Sequence, residues 1–337
     1  MSVLSVVVFG LVTLLLLAPC SLAAQDRAGT PPQDEPPSTR LTLERALIER
    51  GGLLLRPGEL DVEPSVEYTF FSTRRIAVSG FSILPTLIIG VLQTEEVERN
   101  LLDTALTARL GLFKDFQADV RVPYRIAWDR LTTADAERTE SNDGIGDIEV
   151  GLSYQLLRER ELLPDLILGA RGKFRTGEDT FDVDTDEPPL GTGFYSVTGL
   201  VTAVRSFDPA ALFATVLYTH NFDRSVRLPG EAFETEIDPG GSFGYILGLA
   251  LALTPELGMN FRWEHRYVQP TETSPRRPGV ASSEVPGSSI NYGIAYVGIN
   301  WAPTTRFSID LSVGVGVTED SPDMTLRFAV PVRFNLW

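Results

Sequence analysis

The sequence predicts an all-β fold, a transmembrane antiparallel up-and-down β-barrel, and three observations support this prediction. An apolar run near the N-terminus is followed by small residues, as in a secretory signal peptide. From Leu60 onward, hydrophobic and polar residues alternate with a period of two, in runs long enough for a tilted strand to cross a bilayer. Short connections alternate with long ones, which is typical of barrels in the outer membrane.

Residues 1–24 are predicted to be the signal peptide. Ser5 to Leu17 is almost entirely apolar, and the small residues up to Ala24 fit a cleavage site. The first four residues contain no Lys or Arg, so an uncleaved N-terminal anchor remains an alternative. A lipid-modified Cys20 is another alternative, although Pro19 fits that signal poorly. Cleavage would remove Cys20, the one cysteine, and with it any disulfide or thiolate metal site.

Two short regions are predicted to precede the barrel. Residues 25–40 are rich in Pro, Asp, Glu and Thr, which predicts a disordered periplasmic tail. Residues 41–52 predict a short periplasmic helix that begins near Thr42 and ends at Gly51 and Gly52. This helix is interpreted as a simple lead-in to the barrel, and a lid or plug is the alternative.

The stretch from Phe116 to Trp128 shows the strand period most clearly. Every even-numbered residue in it is apolar or aromatic, whereas the odd-numbered residues include Asp119, Arg121 and Arg125. A helix would scatter these charges around its surface, but a strand collects them on one face. The even-numbered face is therefore predicted to meet lipid and the odd-numbered face the lumen.

The barrel is predicted to occupy residues 60–337 with about twelve strands. Eleven strands are recognised between residue 100 and the C-terminus, and an even total requires one more from residues 60–99. The candidates there are 60–72 and 81–92. We expect one strand, with Ile76 to Glu98 partly folded into a loop, and fourteen strands as the alternative.

Aromatic residues near the strand ends predict interfacial girdles, which anchor a barrel in outer-membrane lipid and lipopolysaccharide. The last strand ends on the aromatic Trp337, as expected for a substrate of the outer-membrane insertion machinery. The predicted girdle residues are Tyr68, Phe70, Tyr124, Trp128, Tyr218, Phe222, Trp263, Tyr267, Tyr292 and Tyr296.

Charged residues of both signs share the predicted inner face, so many are expected to form ion pairs across strands around water. They are the candidate residues for solute selectivity. The predicted lumen-lining set is Arg109, Asp119, Arg121, Arg125, Asp147, Glu149, Arg171, Lys173, Arg175, Arg262, Glu264, Arg266, Asp310, Arg327 and Arg333.

Three segments resemble an outer-membrane family labelled "MetA-pathway of phenol degradation". They are Asn142 to Tyr154 with its Gly-Ile-Gly-Asp motif, the entry Leu43 to Gly58, and Phe113 to Phe116 leading to Val122-Pro123-Tyr124. The resemblance extends from about residue 41 to the C-terminus. It implies a barrel and suggests transport of aromatic or other small molecules. From the residues themselves, Gly144 and Gly146 are interpreted as sharp-turn residues after a long loop, and Asp147 as a lumen carboxylate.

The expected function is passive or weakly selective diffusion of small solutes across the outer membrane, with aromatic or hydrophobic compounds as candidates. A non-conducting structural barrel is the first alternative. A lipid-acting enzyme at the rim, using His220 or His265 with a Ser, is a weaker one because no triad spacing is evident. The net charge of -16 argues against nucleic acid as a partner. No cofactor or metal is expected, and the acidic stretches 179–187 and 231–238 are interpreted as solvated loops.

Overall fold

The computed structural model describes residues 53–73, 76–77, 93–94, 96–132, 137–160, 163–181, 187–227, 233–276 and 281–337. The predicted signal peptide, tail and short helix lie outside the described residues. Twelve antiparallel strands form one closed sheet. The strands are β1 (Glu59–Thr73), β2 (Glu96–Phe113), β3 (Phe116–Thr132), β4 (Glu137–Ile145 and Ile148–Leu157), β5 (Asp165–Phe174), β6 (Ser196–Phe207), β7 (Ala210–Asn221), β8 (Ser242–Ala252), β9 (Leu257–Val268), β10 (Ile290–Thr304), β11 (Phe307–Gly316) and β12 (Met324–Ala329 and Val332–Asn335).

Each barrel strand pairs with the strands next to it in sequence, and the first strand closes the barrel against the last. In this closing seam, Tyr68 of β1 lies opposite Leu326 of β12 and Val62 lies opposite Val332. Closure leaves no unpaired sheet edge, which a strand in hydrocarbon could not tolerate. The prediction of twelve strands in an up-and-down barrel is confirmed.

The predicted strand near 60–72 is β1, which supplies the twelfth strand. The competing candidate, 81–92, lies outside the described residues. On either side of it, Ile76–Ala77 pairs with Gln93–Thr94 in a small separate sheet. The alternation of short and long connections predicts one long loop from Asp129 to Gly144. This prediction is wrong, because β3 continues to Thr132 and β4 begins at Glu137. Polar residues such as Thr139 and Ser141 are exposed there. Both faces of this hairpin are polar, so the alternation that marks membrane strands is lost.

The outer face of the barrel carries large apolar side chains that would be costly to expose to water. Leu106 is 51% exposed, Leu152 55% and Val315 53%, and each points away from the barrel axis. Burial in lipid would remove this apolar area from water at about 25 cal/mol per Å². The described residues contain no helix with the length and hydropathy of a membrane span.

The two ends of the barrel differ. One end has tight connections such as Lys114–Asp115 and Thr305–Arg306, and the other has long connections, including those between β5 and β6 and between β7 and β8. In outer-membrane barrels the short turns face the periplasm and the long loops face outward. At the long-loop end, Arg224–Val226, Thr235–Asp238, Glu272–Pro275 and Ser283–Glu284 form a second, four-stranded sheet.

Candidate functional site: the barrel lumen

The inner face of the barrel is polar on the wall formed by β1 to β5. Arg121 and Arg125 of β3 both bind Asp103 of β2, at 3.1 and 2.8 Å. On the neighbouring strands, Arg171 lies 3.2 Å from Asp119 and 3.6 Å from Glu149. Because each carboxylate faces a cation, the charges can lie inside the barrel without the full cost of isolated ions.

Glu63 connects the two strands on either side of β1. Its carboxylate accepts a 2.7 Å bond from Arg109 of β2 and also binds Arg327 of β12. The side chain is buried, with the residue 1% exposed. Asp61 adds a second contact to Arg109 at 3.0 Å. This cluster therefore bonds side chains across the seam that closes the barrel.

The opposite wall has a different chemistry. The inward-facing Phe213, Leu217, Ile246 and Ile294 form an area that we call the apolar patch. Phe213 is held flat against the sheet, since its ring lies where a side chain at Gly248 would have to be. The lumen is thus amphipathic in cross-section, with ion pairs on one side and, on the other, apolar side chains interspersed with Thr202, Thr215 and Glu264.

Two arginines lie beside the apolar patch on β9, each against a tyrosine of β10. The guanidinium carbon of Arg262 is 3.9 Å from the ring centroid of Tyr296, and that of Arg266 is 5.9 Å from the ring centroid of Tyr292. Among the described residues, neither arginine forms an ion pair, and the Nε of each is buried without a hydrogen-bond partner. This pair therefore lies outside the ion-pair network of the facing wall.

The prediction that Tyr292 and Tyr296 belong to the membrane girdle is therefore wrong. Directly opposed residues of an antiparallel pair point to the same face, and Tyr296 opposes Arg262 while Tyr292 opposes Arg266. The outward positions next to them are the polar or small Asn291, Gly293 and Ala295. The alternation of apolar and polar residues led to the prediction that the apolar residues face lipid. In this segment of β10, however, the face toward the lumen is the more apolar one.

Residues 53–58 cross the short-turn end of the barrel, and we call this segment the strap. The backbone N–H of Leu55 donates to the Gln117 side chain of β3 at 3.0 Å, inside the barrel. Leu53 reaches the far wall, where it packs with Phe213 and its neighbours Val204 and Ala211. Between the strap and the turns lies a cavity of about 630 Å³, bordered by Lys114, Asp165 and Arg333 among others. The strap narrows this mouth of the lumen.

Gly111 of β2 allows the strap to lie against the wall, which gives a testable prediction. A Cβ at this position would be 2.1 Å from the carbonyl oxygen of Arg56. We expect Gly111→Ala to lift the strap, so that proteinase K cleaves between residues 53 and 58 faster than in the unmodified barrel. Gly172→Ala is the matched control, because a Cβ there meets nothing. Equal cleavage of both variants would contradict the assigned contact.

A second segment enters the barrel from the long-loop end. Residues 188–194 are all buried, and Leu190 packs against the inward-facing Phe71, Leu101 and Ala127. Arg125 donates to the Leu190 carbonyl at 2.7 Å, and the Thr192 hydroxyl donates to Asp147 at 2.7 Å. We call this segment the inward loop. It and the strap approach the lumen from opposite ends.

The inward loop explains the Gly-Ile-Gly-Asp motif differently from the sharp turn that the sequence suggested. Gly144 lies within β4 opposite Arg125, and a Cβ there would be 2.9 Å from the Leu190 side chain. At Gly146 a Cβ would be 3.1 Å from Pro123. Neither glycine has the positive φ that favours glycine. They leave space for the inward loop, while Asp147 binds Thr192 and lies 3.6 Å from Lys173.

The register places most of the predicted lumen residues on the inner face. Asp310 accepts from Asn300 at 2.8 Å, and Arg333 opposes Asp61. Glu264 lies between Arg262 and Arg266, opposite Ile246 and Ile294. Arg175 follows the end of β5 and lies 5.7 Å from the ring centroid of the exposed Tyr195, outside the strand register.

The sequence did not predict the strap or the inward loop. The apolar run from Leu53 to Leu55 was the available signal for the strap.

The histidines lie on the outer face among aromatic rings. The His220 ring is 5.1 Å from that of Phe222, and the His265 ring is 5.2 Å from that of Tyr245. Within the described residues, no hydrogen bond joins either histidine to a Ser or a carboxylate. These contacts are those of an interfacial girdle.

The acidic stretch 179–187 is not wholly a solvated loop, which corrects the sequence interpretation. Asp179 is fully buried and binds Arg224 at 2.6 Å. The Arg224 guanidinium also lies 4.9 Å from the Phe181 ring centroid. The part of the chain that the structure describes contains no cluster of three metal-ligating side chains. Arg224 belongs to the second, four-stranded sheet and also donates to the Gly193 carbonyl at 3.3 Å, so Asp179 and Arg224 together join that sheet to the inward loop.

A closed barrel with an apolar exterior, a polar interior and two ends of unequal loop length defines a transmembrane β-barrel of the outer-membrane class. The family described as "MetA-pathway of phenol degradation" matches residues 58–334. That match covers most of the chain and almost the whole barrel, so the protein belongs to this family.

One of the similar solved structures shares the fold at a TM-score above 0.5. An outer-membrane channel from Pseudomonas putida F1 has a TM-score of 0.58 and 14% identity, over 83% of this chain and 97% of that chain. The translocator domain of the autotransporter NalP from Neisseria meningitidis has a TM-score of 0.45 and 8% identity, over 86% and 93%. The CymD monoaromatic hydrocarbon channel has a TM-score of 0.38 and 10% identity, over 88% and 92%. At 14% identity, the likeness to the Pseudomonas putida channel is one of fold alone.

Proposed function

We propose that this protein is a passive outer-membrane channel for small solutes. The observation that carries the proposal is the inner face of the barrel, where Arg121, Arg171 and Glu149 remain partly open to solvent although their neighbours form a packed ion-pair network. A barrel that served only as a structural wall would need no solvated charge along its axis. A solved structure that matches this chain with a TM-score of 0.58 is described as an outer-membrane channel.

The strap and the inward loop limit what such a channel can pass. Twelve strands enclose a lumen between the filled interior of eight-stranded barrels and the open interior of porins. Two inward segments reduce it further, so large solutes are excluded. The apolar patch opposite the ion pairs favours solutes with hydrocarbon parts, which supports aromatic or other hydrophobic small molecules as the class. No part of the described chain suggests an energy source, and movement is by diffusion.

The lumen charges are proposed to set ion selectivity, and reversing one of them tests this. Arg121→Glu and Arg171→Glu each replace a partly exposed lumen cation, so we expect both to shift selectivity toward cations. The measurement is the reversal potential of planar bilayers under a potassium chloride gradient. Arg276→Glu, at an exposed position in the outer sheet, is the control. An unchanged reversal potential in both lumen variants would exclude these residues from the conduction path.

We further infer that an N-terminal signal peptide exports the chain and that the insertion machinery and lipopolysaccharide are its partners in the membrane. The apolar residues 5–17 and the terminal Trp337 support these proposals. Among the residues that the structure describes, no contact supports the enzymatic alternative, and the two histidines pack among aromatic rings. The strap, which narrows one mouth of the lumen, supports the non-conducting alternative. Single-channel conductance of the refolded barrel decides between this alternative and a channel.

A further inference from the structure

We propose that Arg262 and Arg266, with Tyr292, Tyr296 and the apolar patch, form a binding site in the lumen for a small monocarboxylate with an apolar body. The inference rests on the proposed function, since a solute reaches this wall through the lumen. It adds the chemical class of the ligand and the residues that bind it.

The two arginines differ from most other lumen cations in having no internal partner. Arg109, Arg121, Arg125 and Arg171 all bind carboxylates of neighbouring strands. Arg262 and Arg266 bind none among the described residues, and their Nε atoms are buried without a hydrogen bond. A buried donor left unsatisfied is costly, so an arriving anion would gain bonds that the folded protein lacks.

The tyrosines fix the direction in which the guanidinium groups point. Arg262 stacks on Tyr296, and the Tyr296 ring itself lies over Gly314, where a Cβ would be 2.5 Å from the ring. Stacking leaves the planar edge of a guanidinium free to donate. Each such edge suits the two oxygens of a carboxylate. The two edges lie on one face of β9, four residues or about 13 Å apart.

The charge balance of this wall favours a single negative charge on the ligand. Glu264 is the one carboxylate on the inner face of β8, β9 and β10, all of whose residues are described. It stands between the two arginines, opposite Ile246 and Ile294. Within this wall, two cations and one carboxylate leave a net charge of +1, and Glu67 and Glu149 of the facing wall lie near enough to act on Arg262 and Arg266. A monoanion neutralises the wall, whereas a dianion would be repelled by Glu264 once the cations were satisfied.

The apolar patch defines the rest of the ligand. Ile246 and Ile294 adjoin the arginines in the register, and Leu217 lies opposite Gly244, which faces Arg266. Leu53 of the strap already packs near Phe213 and Ile246, so this surface accepts hydrocarbon. A ring or short alkyl chain there removes apolar area from water while its carboxylate meets the arginines. An inorganic anion would leave the patch unused.

Benzoate is the probe, and its block of the single-channel chloride current is the measurement. We expect benzoate to block at lower concentration than acetate, which lacks the apolar body, and than phenol, which lacks the carboxylate. The Arg262→Gln/Arg266→Gln double variant should weaken the block roughly tenfold or more, because it removes charged hydrogen bonds. Arg205→Gln is the matched control, since Arg205 also stacks on an aromatic ring, Phe207, but on the outer face.

A gain of affinity provides a test that misfolding cannot imitate. Glu264→Gln removes the one carboxylate of this wall, so benzoate should block at lower concentration than in the unmodified channel. A conducting channel whose benzoate block is unchanged in both the double variant and Glu264→Gln overturns the inference and leaves the channel function standing. If the folded barrel does not conduct, the proposed function fails. Saturation-transfer NMR with benzoate then decides the site: a signal lost in the double variant supports it, and an equal signal overturns it.

Discussion

Releasing the strap is expected to raise solute flux through the barrel several-fold. Leu53→Asp/Leu55→Asp places two carboxylates where the strap meets the inner wall, and Leu55 is only 4% exposed. Burial of an unpaired carboxylate costs several kcal/mol, so the strap should leave the mouth while the strands stay paired. The measurement is the swelling rate of proteoliposomes in an arabinose gradient.

Leu54→Asp is the control for this experiment, because Leu54 borders the cavity at the mouth without joining the cluster around Phe213. It introduces the same charge in the same segment and should change the swelling rate little. Equal rates in the double variant and the unmodified protein, with folded barrels in both, would show that the strap does not restrict the lumen.

The largest loss of stability is expected from Glu63→Gln. Removing the negative charge leaves Arg327 and Arg109 short of a carboxylate in the buried seam between β12, β1 and β2. Breaking a buried pair in this way costs about 3–5 kcal/mol. Because the seam closes the barrel, the loss should appear as a lower urea concentration at the midpoint of unfolding. Unfolding is measured by the heat-dependent shift of the barrel on gels.

The exposed pair of Arg138 and Glu140 provides the comparison for Glu63. Both side chains are exposed to solvent outside the membrane. Glu140→Gln should therefore lower the free energy of unfolding by less than about 1 kcal/mol. A Glu63→Gln barrel that unfolds at the same urea concentration as Glu140→Gln would mean that the seam cluster contributes no net stability.

The barrel itself could be predicted from sequence because one simple rule governs most of it. A strand in lipid must turn its apolar side chains outward. The alternation from Phe116 to Trp128 therefore indicated both that this segment is a strand and which of its faces meets lipid. The parity requirement then added β1 as the twelfth strand. The same rule placed Arg121, Arg171 and Glu149 on the inner face.

The rest could not be read because the lumen is not polar throughout. Around Ile294 the residues still alternate between apolar and polar, but the apolar ones face the lumen. Tyr292 and Tyr296 were therefore predicted to lie on the wrong face. The inward loop depends on contacts between Leu190 and residues far away in sequence, such as Phe71. Short apolar segments like Leu53 to Leu55 carry no period long enough to show where they pack.

Single-channel recording of the refolded protein in a planar bilayer tests the central claim most directly. A water-filled path between the strap and the inward loop predicts discrete current steps of uniform size, which become larger in Leu53→Asp/Leu55→Asp. A correctly folded barrel that gives no steps, with or without those substitutions, would contradict a channel and identify the lumen as a packed interior.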